Sequence, residues 1–467
     1  MHDLGTLRTL ALFAPILLAS VLWAERNPGR RHQVGLGLAL AWNLGTLLAL
    51  NVVAARVGWW TFGTRGGELA GIPLDVLLGW AVLWALVAPL LLGRSIVAQI
   101  TLAGCLDVVL MPRLEPLVSL GPHWLAGEAI ALGTALVPGA LLARWTSEDT
   151  HLGGRATLQG VLVAILGVLV LPLVAATREP LHPDLRGALG LVSMQALVLA
   201  LVLGVASLRE LVERGGGTPF PLDPTRRLVT SGPYAYVANP MQCSGALGLL
   251  GLAGVFHSVS LVGAALVATA YSAGFAAWQE DGELRRRFGA GWDAYRVEVP
   301  RWLPRRRPLP GPPARLYVAA GCDACSQVGR WVAAREPVGL ELVAAELAPE
   351  PLRRMTYVAP DGRTVDGVAA LGRALEHASL GWALLGFWVR LPLVRPAVQL
   401  VVDACGGGPR DLAPACAAVT LQPWPPPVRP ARTSGVSPRS RRRRRGTASA
   451  TSSSATDSAT SSRAGSG

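Results

Sequence analysis

Two stretches of the sequence hold residue types that could do chemistry. Residues 231–245, SGPYAYVANPMQCSG, place a turn, two tyrosines and an Asn-Pro pair at the start of an apolar run. Residues 278–308 begin with Glu280 and Asp281 and end in a basic segment that contains Arg301. Carboxylates, arginine and aromatic rings together can hold a small charged molecule by ion pairs and by contacts with ring faces. These two stretches are the first candidates for a functional site.

The composition indicates a membrane protein around these residues. Of the 467 residues, 51% are hydrophobic and 16% are charged, whereas soluble domains carry about 25% charged residues. A spanning helix needs about 20 mostly apolar residues. About nine stretches qualify, and we predict a polytopic α-helical protein with these spans: 4–23, 33–55, 72–92, 95–111, 124–143, 156–176, 186–208, 241–256 and 258–278.

The last two spans predict how the two stretches are brought together. Only His257 and Ser258 separate these spans, which is typical of a tight helical hairpin. Such a hairpin puts 209–240 and 279–310 on one face of the membrane. In the second of these segments we predict a helix up to Phe288, a break at Gly289 and a further helix through Tyr295. Both segments are rich in arginine, so the positive-inside rule makes that face cytoplasmic and places the N-terminus outside.

The paired motifs resemble a known superfamily. The segment GPYAYVANP, followed after a hairpin by acids, a Phe-Gly, a Trp, a Tyr and RWLP, resembles the isoprenylcysteine carboxyl methyltransferase and phospholipid methyltransferase superfamily over about 185–308. The sequence departs from the usual motif at Ala238, where arginine is usual, and at Gln242, where tyrosine is usual. The matching positions that we carry over as sites are Gly232, Tyr234, Tyr236, Asn239, Pro240, Glu280, Asp281 and Arg301.

The resemblance implies an integral-membrane enzyme that uses S-adenosylmethionine. The implied cofactor-binding residues are Gly232, Tyr234, Tyr236, Asn239, Pro240, Glu280 and Asp281, and the implied catalytic residues are Glu280, Arg301 and Asn239. Acids would bind the cofactor's ammonium group and hydroxyls. An arginine would bind its carboxylate, and aromatic rings would contact its sulfonium and adenine. The substrate would be lipid-like or an apolar small molecule that enters from the bilayer.

Other interpretations of the same residues stay open. The GPY segment alone could be a simple turn. The 285–302 segment could be a basic helix at the membrane interface, anchored by its aromatic residues. Sterol reductases of the membrane share a similar terminal pattern, in which NADPH replaces S-adenosylmethionine and Arg285–Arg287 would meet its 2′-phosphate. A third possibility is a non-catalytic membrane scaffold in which only the C-terminal domain, a redox module, is active.

A second domain follows a Pro-rich linker at 309–313. Residues 314–412 predict a strand, a Cys-x-x-Cys at a helix start, a helix, a strand, a hairpin turning at Asp361-Gly362, and a helix. This α/β order is that of a thioredoxin fold and resembles the DCC family of thiol–disulfide oxidoreductases. Cys322 would be the attacking thiol, at a position where the helix dipole favours the thiolate, and Cys325 would resolve the mixed disulfide.

The alternatives for the two cysteines are a structural relic and a metal site. A zinc site needs four ligands, and neither a histidine nor a second cysteine pair lies nearby; Cys405 and Cys416 could complete one only by folding back. We therefore expect no metal and a cellular thiol reductant as partner.

The ends of the chain complete the prediction. Residues 1–184 form a membrane region of unknown role, 185–308 the methyltransferase-like domain, and 413–467 a disordered tail rich in Pro, Arg and Ser. The segment 380–402 is apolar but carries two arginines, so we expect helices lying on the membrane surface.

The composition suggests a bacterial inner-membrane protein with a cytoplasmic C-terminal domain. The net charge of +13 includes the tail's arginines, and we expect no nucleic-acid partner.

Overall fold

Most of the chain is helical and apolar. The structure, a computed structural model, describes residues 4–63, 66–220 and 224–409. Within that part, eight helices are long and apolar enough to cross a membrane. These candidate spans are Leu4–Arg26, Arg30–Val57, Leu74–Leu92, Ile96–Arg113, Trp124–Glu148, Leu152–Ala176, Ala188–Gly215 and Val259–Phe288. The prediction of a polytopic helical membrane protein is therefore confirmed.

The remaining predicted span, 241–256, is a shorter helix. It runs from Pro240 to Phe256, 17 residues, and falls below the length of the other eight. His257 ends it with a left-handed backbone, φ 50°. Ser258 then begins the next helix, because its hydroxyl accepts a hydrogen bond from the backbone N–H of Leu261 at 3.0 Å. The two helices form the hairpin that the sequence predicts.

Helix 188–215 lies against the first arm of this hairpin. The Ser244 hydroxyl donates to the carbonyl of Ala200 at 2.7 Å. Gly254 lies so close to Ser193 that a Cβ atom would come within 2.0 Å of the serine hydroxyl. Small residues of this kind let membrane helices approach closely, so the three helices form one compact group.

The second arm continues into the segment with the two acids. Helix 259–288 ends at Gly289, whose φ of +52° favours glycine. The chain then resumes as helix Ala290–Glu298. The predicted break at Gly289 is confirmed, and the following helix runs three residues beyond the predicted Tyr295.

The first six spans pack together, and the sixth also packs against the hairpin, where Ala175 shares a buried cluster with Leu252 and Leu261. A short antiparallel pair, Trp60–Phe62 with Val118–Leu120, joins two of the loops between helices, and Glu68–Leu69 pairs with Ile72–Pro73. Asp107 and Glu128 are buried here, apart from the two motif stretches.

The C-terminal region contains a four-stranded sheet. Strand Ala314–Val318 pairs in parallel with Leu340–Ala344 and antiparallel with Thr356–Val358. Thr356–Val358 also pairs antiparallel with Thr364–Asp366, which confirms the hairpin predicted at Asp361-Gly362. Helix Asp323–Ala333 connects the two parallel strands, and a 3₁₀ turn, Ala345–Leu347, follows the second of them.

Three helices end the described chain: Gly367–Leu375, Leu380–Val389 and Val394–Gly407. The last two are bent by 94° at the break between them, so 380–402 is not one straight span. Helix 380–389 lies against helix 188–215 through a cluster of buried side chains, Leu203, Ala206, Leu384 and Phe387. The predicted tail 413–467 and Cys416 lie outside the described residues.

Candidate functional site

A left-handed turn starts the first motif. Gly232 has φ +57° and begins the 3₁₀ turn Gly232–Ala235. A Cβ atom at Gly232 would lie 3.1 Å from Cγ of Glu210, on helix 188–215. Pro240 then takes the first helical position of the hairpin, where its missing N–H costs nothing. The turn chemistry of the motif therefore sets where the hairpin begins.

Backbone hydrogen bonds hold the first motif against the end of the second. The N–H of Ala238 donates to the carbonyl of Pro300 at 2.8 Å. In the opposite direction, the N–H of Arg305 donates to the carbonyl of Tyr236 at 2.9 Å. Residues about 60 positions apart in the sequence thus form one layer at this end of the hairpin.

A row of polar side chains crosses this layer. The Asn239 amide donates to Oε1 of Gln242 at 3.0 Å, and the Gln242 amide donates to Oε1 of Glu280 at 3.4 Å. Arg301 forms an ion pair with Asp281 beside them. Four of the predicted site residues are therefore brought together, and Gln242, where the family usually has tyrosine, joins two of them.

The two motif tyrosines face the interior. Tyr236 is fully buried, and its hydroxyl donates to the carbonyl of Glu376 in the C-terminal domain at 2.8 Å. Tyr234 is also buried, and its carbonyl accepts a hydrogen bond from the Tyr295 hydroxyl at 2.8 Å. Burial raises the pKa of Tyr234 and of Tyr236, so both phenols are neutral at physiological pH. Their positions fix the shape of the loop.

Ala238, where arginine is usual, lies in a closed apolar cluster. Trp292, Tyr295 and Val299 surround it, and all four residues are buried. Leu284 and Phe288 of the second motif pack against the same cluster. The apolar residues of the second motif thus form a base beneath the polar row.

Glu210 is a residue that the motifs did not reveal. It is buried near the end of helix 188–215, and its carboxylate accepts a hydrogen bond from the Ser231 hydroxyl. Arg214 lies 3.7 Å from the carboxylate and Arg373, of the C-terminal domain, lies 4.0 Å from it. The signal that could have found it is an acid within an otherwise apolar span, which is costly unless it is paired.

The two cysteines of the C-terminal domain lie at a helix start. Cys322 is the N-cap of helix 323–333, and its Sγ lies 2.8 Å from Sγ of Cys325. The backbone N–H of Cys325 also donates to Sγ of Cys322 at 3.3 Å. Cys322 is buried and Cys325 is half-buried. The expected placement of the pair at a helix N-terminus is therefore what the structure shows.

Glu346, which the sequence did not single out, holds the loop before Cys322. Its carboxylate accepts hydrogen bonds from the N–H groups of Ala320, at 3.0 Å, and Gly321, at 3.2 Å. Glu346 therefore fixes the backbone of the loop that leads into Cys322.

Comparison with known proteins bears on one part of the chain. A family model for phospholipid methyltransferases matches residues 189–291. The match supports a membrane methyltransferase. It covers helix 188–215, the first motif, the hairpin and both acids, and it ends before Arg301. No curated protein and no solved structure matches the chain.

Proposed function

We propose that the protein is an integral-membrane, S-adenosylmethionine-dependent methyltransferase that acts on a lipid-like or apolar substrate. The observation that carries the proposal is the polar row Asn239–Gln242–Glu280, beside the Asp281–Arg301 pair, inside or next to the family-matched region. The row lies at the end of a membrane hairpin, where a charged cofactor can meet an apolar substrate.

These residues fit the chemistry of the cofactor. Glu280 is exposed, and its hydrogen bond from Gln242 is a long one, so its carboxylate keeps the capacity to accept further hydrogen bonds. It would bind the ammonium group or the ribose hydroxyls. Arg301 is half-buried beside Asp281 and would bind the cofactor's carboxylate. Asn239 would donate to the same group or orient the acceptor.

The other predicted residues would shape the binding loop. Gly232 supplies the left-handed turn, Pro240 starts the helix, and the buried rings of Tyr234 and Tyr236 hold the backbone between them. When bound, the cofactor supplies a methyl group for an in-line displacement. The protein's part is then to position the reactants and exclude water.

We propose further that the C-terminal domain is a thioredoxin-like thiol–disulfide oxidoreductase module of the DCC type. Two features support it: the strand order 340–344, 314–318, 356–358, 364–366 with one parallel pair, and the cysteine pair at the start of the helix joining the parallel strands. A cellular thiol would reduce the module.

Insulin reduction driven by dithiothreitol tests this second proposal. Cys322→Ser in the full chain should abolish the activity, whereas Cys105→Ser, on an exposed helix face, should not. Equal activity of the two variants would refute the module's role.

The proposed location is a bacterial inner membrane, with the N-terminus outside and the C-terminal domain in the cytoplasm. The support is the arginine content of the segments 209–240 and 279–310, which lie at the same end of the hairpin.

Cofactor binding by the purified protein in detergent tests the main proposal. Adenosylhomocysteine and NADPH are titrated separately into the wild type, Glu280→Ala and the control Glu350→Ala, which changes an exposed acid of the C-terminal domain. We expect saturable adenosylhomocysteine binding that only Glu280→Ala loses. Binding of NADPH alone would replace the proposal with a reductase, and binding of neither would leave a scaffold.

A further inference from the structure

Two carboxyl groups lie side by side within the first six spans, where the proposed methyltransferase does not use them. Asp107, on span Ile96–Arg113, is 0% exposed, and Glu128, on span Trp124–Glu148, is 5% exposed. Glu128 is a direct neighbour of Asp107. Both oxygen atoms of Asp107 and Oε1 of Glu128 lack a hydrogen-bond partner among the described residues. Ionisable groups within a membrane are costly, and they mark binding sites or ion pathways.

The protein supplies no cation to neutralise this pair. In the part of the chain that the structure describes, no arginine lies next to either carboxyl group, and Arg8, on the first span, is paired with Asp75 at 2.6 Å instead. Two adjacent carboxylates repel each other, and one proton shared between them leaves a single negative charge. A monovalent cation from solution would neutralise that charge.

A cavity beside Glu128 has room for such an ion. Its volume is about 40 Å³, whereas one buried water needs about 10–15 Å³, so a small ion and a water molecule can share it. Four aromatic side chains are among its lining residues: Trp60, Phe62, Trp80 and Trp84. Aromatic rings attract cations through their negative faces, so the lining suits a positively charged ligand.

Trp84 is an independent observation that points to a ligand. The residue is 2% exposed and lines the cavity. Its Nε1–H is directed toward Asp107 but has no hydrogen-bond partner among the described residues. Trp60, on another wall, donates to Oδ1 of Asn51 at 2.7 Å. A buried donor without an acceptor is costly, and a water molecule bound to the cation would accept from Trp84.

The ligand set favours a monovalent cation over a divalent one. Mg²⁺ and Ca²⁺ take six or more oxygen ligands. Among residues 4–63, 66–220 and 224–409, no three His, Cys, Asp or Glu side chains group around a possible metal position. Two carboxyl groups that share a proton therefore match a single positive charge.

The cavity is also remote from the candidate methyltransferase site. Trp60, Phe62 and Val118 of the strand pair between two loops line it. Because successive spans reverse direction, this end of the bundle faces the side of the membrane opposite to the polar row Asn239–Gln242–Glu280. Binding in the cavity would thus be a separate function of the membrane region.

We infer that Asp107 and Glu128 form a binding site for a small monovalent cation, either an alkali ion or an alkylammonium ion. Glu128 contacts the ion from the cavity wall, and Asp107 shares the proton with it. This site gives residues 1–184 a role that does not depend on methyl transfer.

Carbodiimide labelling tests the site without relying on activity. The full-length protein in detergent is treated with dicyclohexylcarbodiimide, which forms adducts with carboxyl groups in apolar surroundings, and mass spectrometry measures the adduct at Glu128. The reaction is run at one pH and one ionic strength in the chloride salts of sodium, potassium, methylammonium and N-methylglucamine. The last cation is too large for the cavity and is the reference.

The wild type is compared with Asp107→Asn and with the control Glu25→Gln, which changes an exposed acid near the end of the first span. At ten times its dissociation constant, a bound cation should slow the labelling of Glu128 about tenfold, because only about a tenth of the sites are free. We expect this protection in the wild type and in Glu25→Gln, and its loss in Asp107→Asn. Protection by sodium or potassium identifies an alkali ion, and protection by methylammonium identifies an alkylammonium ion.

Equal labelling of Glu128 in all four salts would overturn the inference, because the pair would then bind protons only. Protection that persists in Asp107→Asn would overturn it as well. Melting temperatures in the same salts are a second measurement, which applies even if Glu128 forms no adduct. The protecting cation should raise the melting temperature of the wild type but not that of Glu128→Gln, and a melting temperature equal in all four salts would contradict the site.

Discussion

Gln242 lies between Asn239 and Glu280 and accepts from one while it donates to the other. We expect Gln242→Ala to weaken adenosylhomocysteine binding about fivefold, because two partly exposed hydrogen bonds are lost and each contributes about 0.5 kcal/mol, the low end of the usual range. Isothermal titration measures the change. Gln327→Ala, at an exposed position of the C-terminal domain, is the control, and equal affinities of the two variants would contradict the role of Gln242.

Ala238 gives a second prediction at the residue scale. Arginine is usual at this position in the family, but here Trp292, Tyr295 and Val299 enclose the side chain. Ala238→Arg would bury an unpaired charge, which costs several kcal/mol, so we expect aggregation or a lower melting temperature in detergent. Ala290→Arg, at an exposed position, should behave as the wild type. An undiminished melting temperature for Ala238→Arg would show that the cluster can open.

At the scale of helices and strands, local signals predicted most elements. Apolar length predicted the spans, Gly289 predicted the break in the second motif, and Asp361-Gly362 predicted the hairpin, because each depends on neighbouring residues alone. The partners of the motif residues could not be predicted in this way. Tyr236 reaches the carbonyl of Glu376, 140 positions away, and no local pattern encodes a contact over that separation.

The end of helix 367–375 carries a pH-sensitive contact. His377 lies with Nδ1 2.7 Å from the carbonyl of Val338, to which it donates, and its Nε2 accepts from the Tyr357 hydroxyl at 3.0 Å. Burial lowers the pKa of His377 and raises the pKa of Tyr357 to about 12. The histidine is therefore neutral in the folded domain, with both ring nitrogens satisfied.

This contact predicts how the stability of the C-terminal domain depends on pH. The unfolded chain binds a proton at the ordinary histidine pKa of about 6.5, whereas the folded domain binds it only at lower pH. The contribution of His377 is thus fully present above pH 6.5 and is lost as the pH falls toward the lowered value. Hydrogen exchange of strand 356–358 between pH 5 and 7.5 should quicken on acidification.

A histidine control isolates the effect. His377→Gln should flatten the pH dependence of exchange, whereas His182→Gln, at an exposed loop position, should leave it unchanged. A steep pH dependence that persists in His377→Gln would assign the titration to another group.

At the scale of the whole molecule, a buried ionic network joins the membrane region to the C-terminal domain. Arg373 lies 3.1 Å from Glu376, 3.8 Å from Glu213 and 4.0 Å from Glu210. The side chains of Arg373 and Glu210 are only 14% and 7% exposed. The same Glu210 holds Ser231 at the start of the first motif, so the network links the C-terminal domain to the candidate site.

Removing the central cation should loosen this junction. Arg373→Met leaves Glu210 buried without its partner across the junction, a change that costs about 3 kcal/mol. We expect faster hydrogen exchange in 367–389 and weaker adenosylhomocysteine binding. Arg330→Met, at an exposed position of the same domain, is the matched control. Unchanged exchange in Arg373→Met would mean that the apolar cluster alone holds the domains together.

The contact between helices 188–215 and 380–389 also imposes an order on biosynthesis. Chains emerge from the ribosome N-terminus first and domains fold as they emerge, so every candidate span is complete before Leu380 is made. Until then, the side of helix 188–215 that later meets Leu384 and Phe387 is open to the bilayer. A nascent chain, or a product truncated within the sheet domain, would keep the hairpin and its polar row but would lack helix 380–389. Synthesis of helix 380–389 is therefore the step that covers this side of helix 188–215.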